Sequence, residues 1–179
     1  MKSYILIFIM FLSFSTFAQQ DSLISDSIKV NKTVFDSAAG QEILIGKCTT
    51  EGLKTFKEYS DSWDKEYNDY KPYTDFLSSI KDSLDKIKIV IVMATWCGDS
   101  KREVPRFYKI MNAIGISDDK IDLICVDRNK KAGNLDIEDY YVELVPTFIF
   151  YKGNKELGRI IEMPSESLEN DIAQIITSE

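Results

Sequence analysis

Residues 89 to 94, Ile89-Val90-Ile91-Val92-Met93-Ala94, form an unbroken apolar run that ends on Thr95-Trp96-Cys97-Gly98-Asp99-Ser100. A run this short and this rich in β-branched residues reads as a strand buried on both faces, in the middle of a layered sheet. From Ser100 the apolar positions switch to helical spacing, with Val104, Phe107, Ile110, Met111 and Ile114 on one side and Pro105 inside the stretch. The proline predicts a kink or irregular first turns. A buried strand that runs straight into a helix points to an α/β fold. It also sets Cys97 near a helix N-terminus, where unpaired N–H groups and the helix dipole favour an anion, here a thiolate.

The rest of the chain supplies further layers. Glu42 to Ile45 reads as a short strand. Thr50 is the expected N-cap of a helix carrying Leu53, Phe56, Tyr59, Trp63, Tyr67 and Tyr70 at steps of three and four, which Pro72 ends. A second helix begins at Thr74, with Phe76, Leu77, Ile80 and Leu84 on one side. Ile121 to Val126 is a strand, Asp127 to Gly133 a charged loop, and Asp136 to Tyr141 a short helix. Thr147 to Tyr151 and Leu157 to Ile161 form a hairpin across Lys152-Gly153-Asn154-Lys155. Ser165 is the expected cap of a last helix whose Leu168, Ile172, Ile175 and Ile176 share a face. This order predicts a mixed central sheet with helices on both faces, preceded by an N-terminal helical extension.

At 179 residues, 44% of them hydrophobic, the chain has one domain's worth of core. A net charge of -7 without a basic patch argues against nucleic acid as a partner. With no histidine, His-ligated zinc and His-based triads are excluded, and neither a metal nor a cofactor is expected. Lys2, the apolar run from Tyr4 to Leu12 and the small-residue site Thr16-Phe17-Ala18 predict a signal peptide over residues 1–18, too short to span a bilayer comfortably. The protein is therefore expected to be exported, in the periplasm, with no membrane span after cleavage. Residues 19–40 read as a flexible leader, 41–86 as the extension packed on the domain, and 87–179 as the core. Three cysteines, Cys48, Cys97 and Cys125, leave at least one thiol free or paired outside the chain.

From residue 87 onward the chain resembles the thioredoxin superfamily, most closely its bacterial exported members with a Trp-Cys-Gly-Asp-Ser segment. Trp96-Cys97-Gly98-Asp99-Ser100 is similar to the family's Trp-Cys-Gly-x-Cys active-site segment. Pro105 falls where the active-site helix has its proline, and Val145-Pro146-Thr147-Phe148 is similar to the cis-proline loop. The resemblance implies a thioredoxin-like fold in which Cys97 attacks a disulfide and Trp96 shelters one side of it. Val145 and Pro146 would then present backbone to an extended, cysteine-containing peptide, and Glu162 would stand at a third wall of the groove.

Three departures bear on mechanism. Ser100 replaces the resolving cysteine, Ile91 stands where many relatives have a buried acid, and Leu123 where they have the accompanying lysine. Lys101 and Arg102 favour the Cys97 thiolate, Asp99 opposes it, and Ser100 is placed to donate it a hydrogen bond. Cys125 reads as a small buried hydrophobe, and Cys48 either as an inert thiol or as a remote resolving partner for Cys97. Resemblance to a peroxidase site is weaker, since Ala94 stands where peroxiredoxin-type sites have a threonine. The expectation is a monothiol thiol–disulfide oxidoreductase acting on protein disulfides, of isomerase type or removing mixed disulfides, with an external thiol for resolution. The alternative is a non-catalytic module that binds extended peptides or a dedicated partner.

Overall fold

A computed structural model describes residues 29–178; the expected signal peptide and the first part of the leader lie outside them. Six strands form one sheet in the order β1-β2-β4-β3-β5-β6. They are β1 (Lys32–Asp36), β2 (Gln41–Cys48), β3 (Lys88–Met93), β4 (Ile121–Cys125), β5 (Thr147–Lys152) and β6 (Lys155–Ile161). The helices are α1 (Thr50–Thr55), α2 (Lys57–Asp69), α3 (Asp75–Ser79), α4 (Lys81–Leu84), α5 (Gly98–Ala113) and α6 (Leu168–Thr177).

The apolar run is the centre of the sheet. β3 pairs in parallel with β4 and antiparallel with β5, so the sheet is mixed. Period-two alternation divides it, with Ile89, Ile91 and Met93 entering one apolar cluster and Val90, Val92 and Ala94 another. The two faces are covered differently. Among the described residues all six α-helices contribute to the first cluster: Leu53, Trp63, Leu77 and Leu84 from the extension, with Phe107 of α5 and Ile172 of α6. The second face is covered by Ala132, Ile137 and Val145 from the segment between β4 and β5. The helical cover of this second face is slight. The short helix expected over Asp136 to Tyr141 is a single 3-10 turn, Glu138–Tyr140, ended by Tyr141 in the left-handed region (φ 49).

The N-terminal part is more sheet than sequence patterning suggests. β1 falls inside the stretch read as a flexible leader, and it pairs antiparallel with β2, whose last residues pair antiparallel with β4. Where β2 changes partners, Gly46 has φ 82, a conformation that a side chain would strain. The helix expected to run unbroken from residue 50 divides at Phe56, whose backbone is extended. Its cap is Thr49, not Thr50: Thr49 has the extended backbone of an N-cap, and its hydroxyl accepts the Gly52 N–H at 3.0 Å. Phe76, expected on a core stripe, is exposed, while Leu77 and Leu84 are buried. α5 runs through Pro105 as one helix. Ser167, rather than Ser165, caps α6 and accepts the Asn170 N–H at 3.1 Å.

Candidate functional site

Cys97 is where β3 hands over to α5. Its N–H donates to the Ala94 carbonyl at 3.0 Å, and its own carbonyl accepts the Lys101 N–H at 3.0 Å, so it stands as the N-cap of a sixteen-residue helix. The side chain is half-buried, and its Sγ donates to the Val145 carbonyl at 3.1 Å. The Val145–Pro146 peptide is cis, and the loop before β5 is held by the Thr147 hydroxyl donating to Leu144 O at 2.7 Å. Thus the structure joins the two motifs that sequence reading quoted separately.

Trp96 packs beside Cys97 on the second cluster, with its Nε1 donating to the Val126 carbonyl at 3.2 Å. Thr95 is fully buried, and its hydroxyl accepts the Leu44 N–H of β2 at 3.3 Å. The extension is therefore hydrogen-bonded to the segment that carries Cys97. Glu162 donates its N–H to the Pro146 carbonyl at 2.7 Å from a left-handed backbone (φ 59), between the exposed Ile161 and Met163.

Ser100, Arg102 and Asp99 have other partners than expected. Ser100 is fully buried and its hydroxyl accepts the Ala94 N–H at 3.2 Å; among the described residues it makes no hydrogen bond to Cys97. The third residue of the helix faces the sheet, and Tyr59 fixes it there by donating to the Ser100 carbonyl at 2.9 Å. Burial holds the Tyr59 hydroxyl well above the usual tyrosine range, so it stays a donor. Arg102 is not available to Cys97, because it pairs with Asp99 at 2.7 Å and with Glu103 at 2.5 Å. Asp99 is likewise compensated by that guanidinium. Lys101 is half-buried on the first turn of α5.

Cys48 cannot serve Cys97 as a resolving partner in this fold. It belongs to the cluster under the helices, with its Sγ donating to the Gly46 carbonyl at 3.5 Å, whereas Cys97 packs on the opposite cluster. Its sulfur neighbour is Cys125, whose thiol is pushed well above its ordinary range by the contact with Cys48 and by burial. Cys125 is fully buried, as expected of a small hydrophobe. Leu123 pairs directly with Ile91 and with Cys48, so an apolar ladder occupies the places where an acid and a lysine are absent.

Sequence reading missed two features. Glu103 is a buried carboxylate held by Arg102 and, at 3.8 Å, by Arg106; only the i,i+3 spacing to Arg106 hinted at it. The Arg128 guanidinium stacks on Trp96, 4.7 Å from the ring centroid, and nothing local in the sequence signals that contact. Chemically, the arrangement offers a half-exposed thiol at a helix start, facing a backbone carbonyl, with an indole wall and no second sulfur beside it.

A family model described as Thioredoxin matches residues 70–177, reaching further back than the segment that carries the sequence motifs. Thioredoxin of Geodia cydonium is 29% identical over 101 residues, covering 56% of this chain and 89% of that protein. Thioredoxin of Gallus gallus is 27% identical over 109 residues, covering 57% of this chain and 91% of that protein. Thioredoxin-2 of Saccharomyces cerevisiae is 33% identical over 89 residues, covering 50% of this chain and 80% of that protein. With an α/β mixed sheet, a cysteine at the β3–α5 junction and a family match over more than half its length, the chain belongs to the thioredoxin family.

Proposed function

We propose that the protein is an exported, monothiol thiol–disulfide oxidoreductase. The thiolate of Cys97 attacks one sulfur of a protein disulfide. That S–S bond breaks, a mixed disulfide forms at Cys97, and the leaving sulfur departs as a thiolate that takes a proton from solvent. A second thiol, from the substrate or a small molecule, then attacks the mixed disulfide and releases Cys97. The enzyme ends unchanged in oxidation state, which suits isomerisation or removal of mixed disulfides rather than net reduction.

The observation that carries this reading is the pairing of the half-exposed Cys97, on the Val145 carbonyl, with Ser100 turned into the core. The nearest helical neighbour with a hydroxyl can supply no sulfur, and Cys48 is committed to the other face. Extended peptides carrying a disulfide would lie along Val145 and Pro146, against Trp96 and the exposed Leu144 and Met163. Export is supported by the character of residues 1–18, and N-terminal sequencing of the periplasmic fraction tests it.

The mechanism is tested by trapping. Mildly oxidised substrate proteins should form dithiothreitol-sensitive adducts with the native chain, and none with Cys97→Ser. Equal capture by both would overturn the reading. Ser100→Cys should form an internal disulfide with Cys97 and gain insulin-reducing turnover with dithiothreitol as donor, because the substituted site sits one helical turn from the thiol.

A further inference from the structure

We propose that Arg128, clamped by Asp36 at the end of β1, is a positioning residue that holds the Trp96 indole in place as a wall of the Cys97 thiol. The inference rests on the reading of Cys97 as the reactive group.

Trp96 is only half-buried and, among the described residues, has a single side-chain hydrogen bond, its Nε1 on the Val126 carbonyl at 3.2 Å. One bond at the ring's edge fixes a single point of the indole, so its tilt depends on what packs against the ring. Its face is loaded by cations. The Arg128 guanidinium carbon stands 4.7 Å from the ring centroid and Lys130 Nζ 5.9 Å from it, both within the range of cation–π attraction. Arg128 brings a flat, delocalised cation that can stack on the ring, which a lysine ammonium cannot match.

Two devices keep these cations where they are. The loop that carries them is folded on itself: Asp127 Oδ1 accepts the N–H of Asn129 at 2.8 Å and of Lys131 at 2.9 Å, and Asp127 N–H donates to Lys131 O at 2.9 Å. Lys130 takes a left-handed backbone (φ 61) to close it. The second device comes from far away in the chain. Arg128 Nε donates to Asp36 Oδ2 at 2.7 Å, and the Asp36 side chain is only 9% exposed. The other oxygen of that carboxylate accepts the Ala38 N–H at 3.0 Å and shapes the β1–β2 turn. One carboxylate thus fixes both the hairpin end and the guanidinium, in the stacked order Asp36, Arg128, Trp96, next to Cys97. A pair that served only to tie down a hairpin would need no aromatic partner. This one places the N-terminal hairpin in control of the residue that shelters the thiol.

The test uses Arg128→Ala and Asp36→Asn in the purified chain. Asp36→Asn keeps an oxygen for Ala38 but turns an amide toward Arg128, so it releases the clamp while sparing the turn. Trp63 is 3% exposed, so acrylamide quenching of tryptophan fluorescence reports on Trp96. Loss of an exposed cation–π contact corresponds to about a two- to fivefold rise in the open indole population. Both variants should show stronger quenching, and Cys97 alkylation by iodoacetamide, located by mass spectrometry, should accelerate by about that factor. Exchange with a peptide disulfide should slow at the same time, since the wall is lost. A merely destabilising substitution would not move alkylation and exchange in opposite directions. Arg128→Lys should restore part of each effect, and the double variant should be no more affected than Arg128→Ala. Quenching and alkylation identical to the native chain in Arg128→Ala would overturn the clamp. A native Cys97 that captures no disulfide would instead overturn the oxidoreductase reading, with the clamp still judged by quenching and alkylation.

Discussion

The two faces of the sheet are built from the same alternating strands and do different jobs. One face is covered by helices, and its cluster includes Phe107 stacked on Phe148 at 4.8 Å and edge-on to Tyr108 at 6.3 Å. The other is covered by the irregular segment between β4 and β5, with Ile137 and Val145 over Val90, Val92 and Ile149. Cys97 and Trp96 pack on the second. A helix satisfies its own backbone groups and can lie flat on apolar surface, whereas a loop leaves main chain free to face a reactive group. The larger apolar cluster lies under the helices, and Cys97 sits where the covering is thin and its carbonyls are available.

The largest break in this comparison comes from the helical face. Phe107→Ala should cost about 3–5 kcal/mol in urea unfolding, because α5 cannot collapse into the space left between Phe148 and Tyr108. Iodoacetamide reactivity of Cys97 per folded molecule should stay at the native value. Altered reactivity there would show that the two faces are coupled through β3.

Ile137→Ala probes the other side. It should cost less, about 2 kcal/mol, since a loop relaxes around a cavity more readily than a helix does. Here Cys97 alkylation should speed up, because Ile137 belongs to the cluster on which Trp96 and Cys97 rest. Unchanged alkylation would mean that the loop face does not support the site.

The smallest effect is in acid. Burial works to raise the Glu66 carboxyl, but hydrogen bonds from Arg106 and Lys65 outweigh it and hold the group below the usual glutamate range. A carboxyl held low when folded stabilises the fold above its unfolded value, about 4.3, and loses that contribution as pH falls through the lower folded value. Glu66→Gln should therefore flatten part of the acid limb of the stability curve below about pH 4.3 while leaving Cys97 reactivity alone. A limb as steep as the native one would assign the acid loss to other carboxylates.

Local period carried the sequence reading a long way. The run of residues 89–94, the hairpin of β5 and β6, and the helical stripes of α5 and α6 are repeats of two or of three to four residues, and each formed where expected. Caps were read one or two residues off, at Thr50 for Thr49 and Ser165 for Ser167, because several adjacent hydroxyls can each satisfy a helix start. β1 was not legible: Thr33, Val34 and Phe35 are too few to set a period, and their order depends on pairing with β2. Nor could local pattern tell that the helices share one face, since an amphipathic stripe says which side is buried and not against which surface.

The sequence by itself determined that a cysteine stands at the end of a buried strand, without a second sulfur one turn on. Those are matters of residue type and spacing along a single strand and helix. Only the tertiary structure decided what surrounds that thiol. It turned Ser100 inward, joined Arg102 to Asp99 and Glu103, set Cys48 beside Cys125, and brought Asp36 and Arg128 onto Trp96. The reason is physical. Strand pairing and charge pairing act between residues distant in the chain, and their geometry exists only once the sheet has closed.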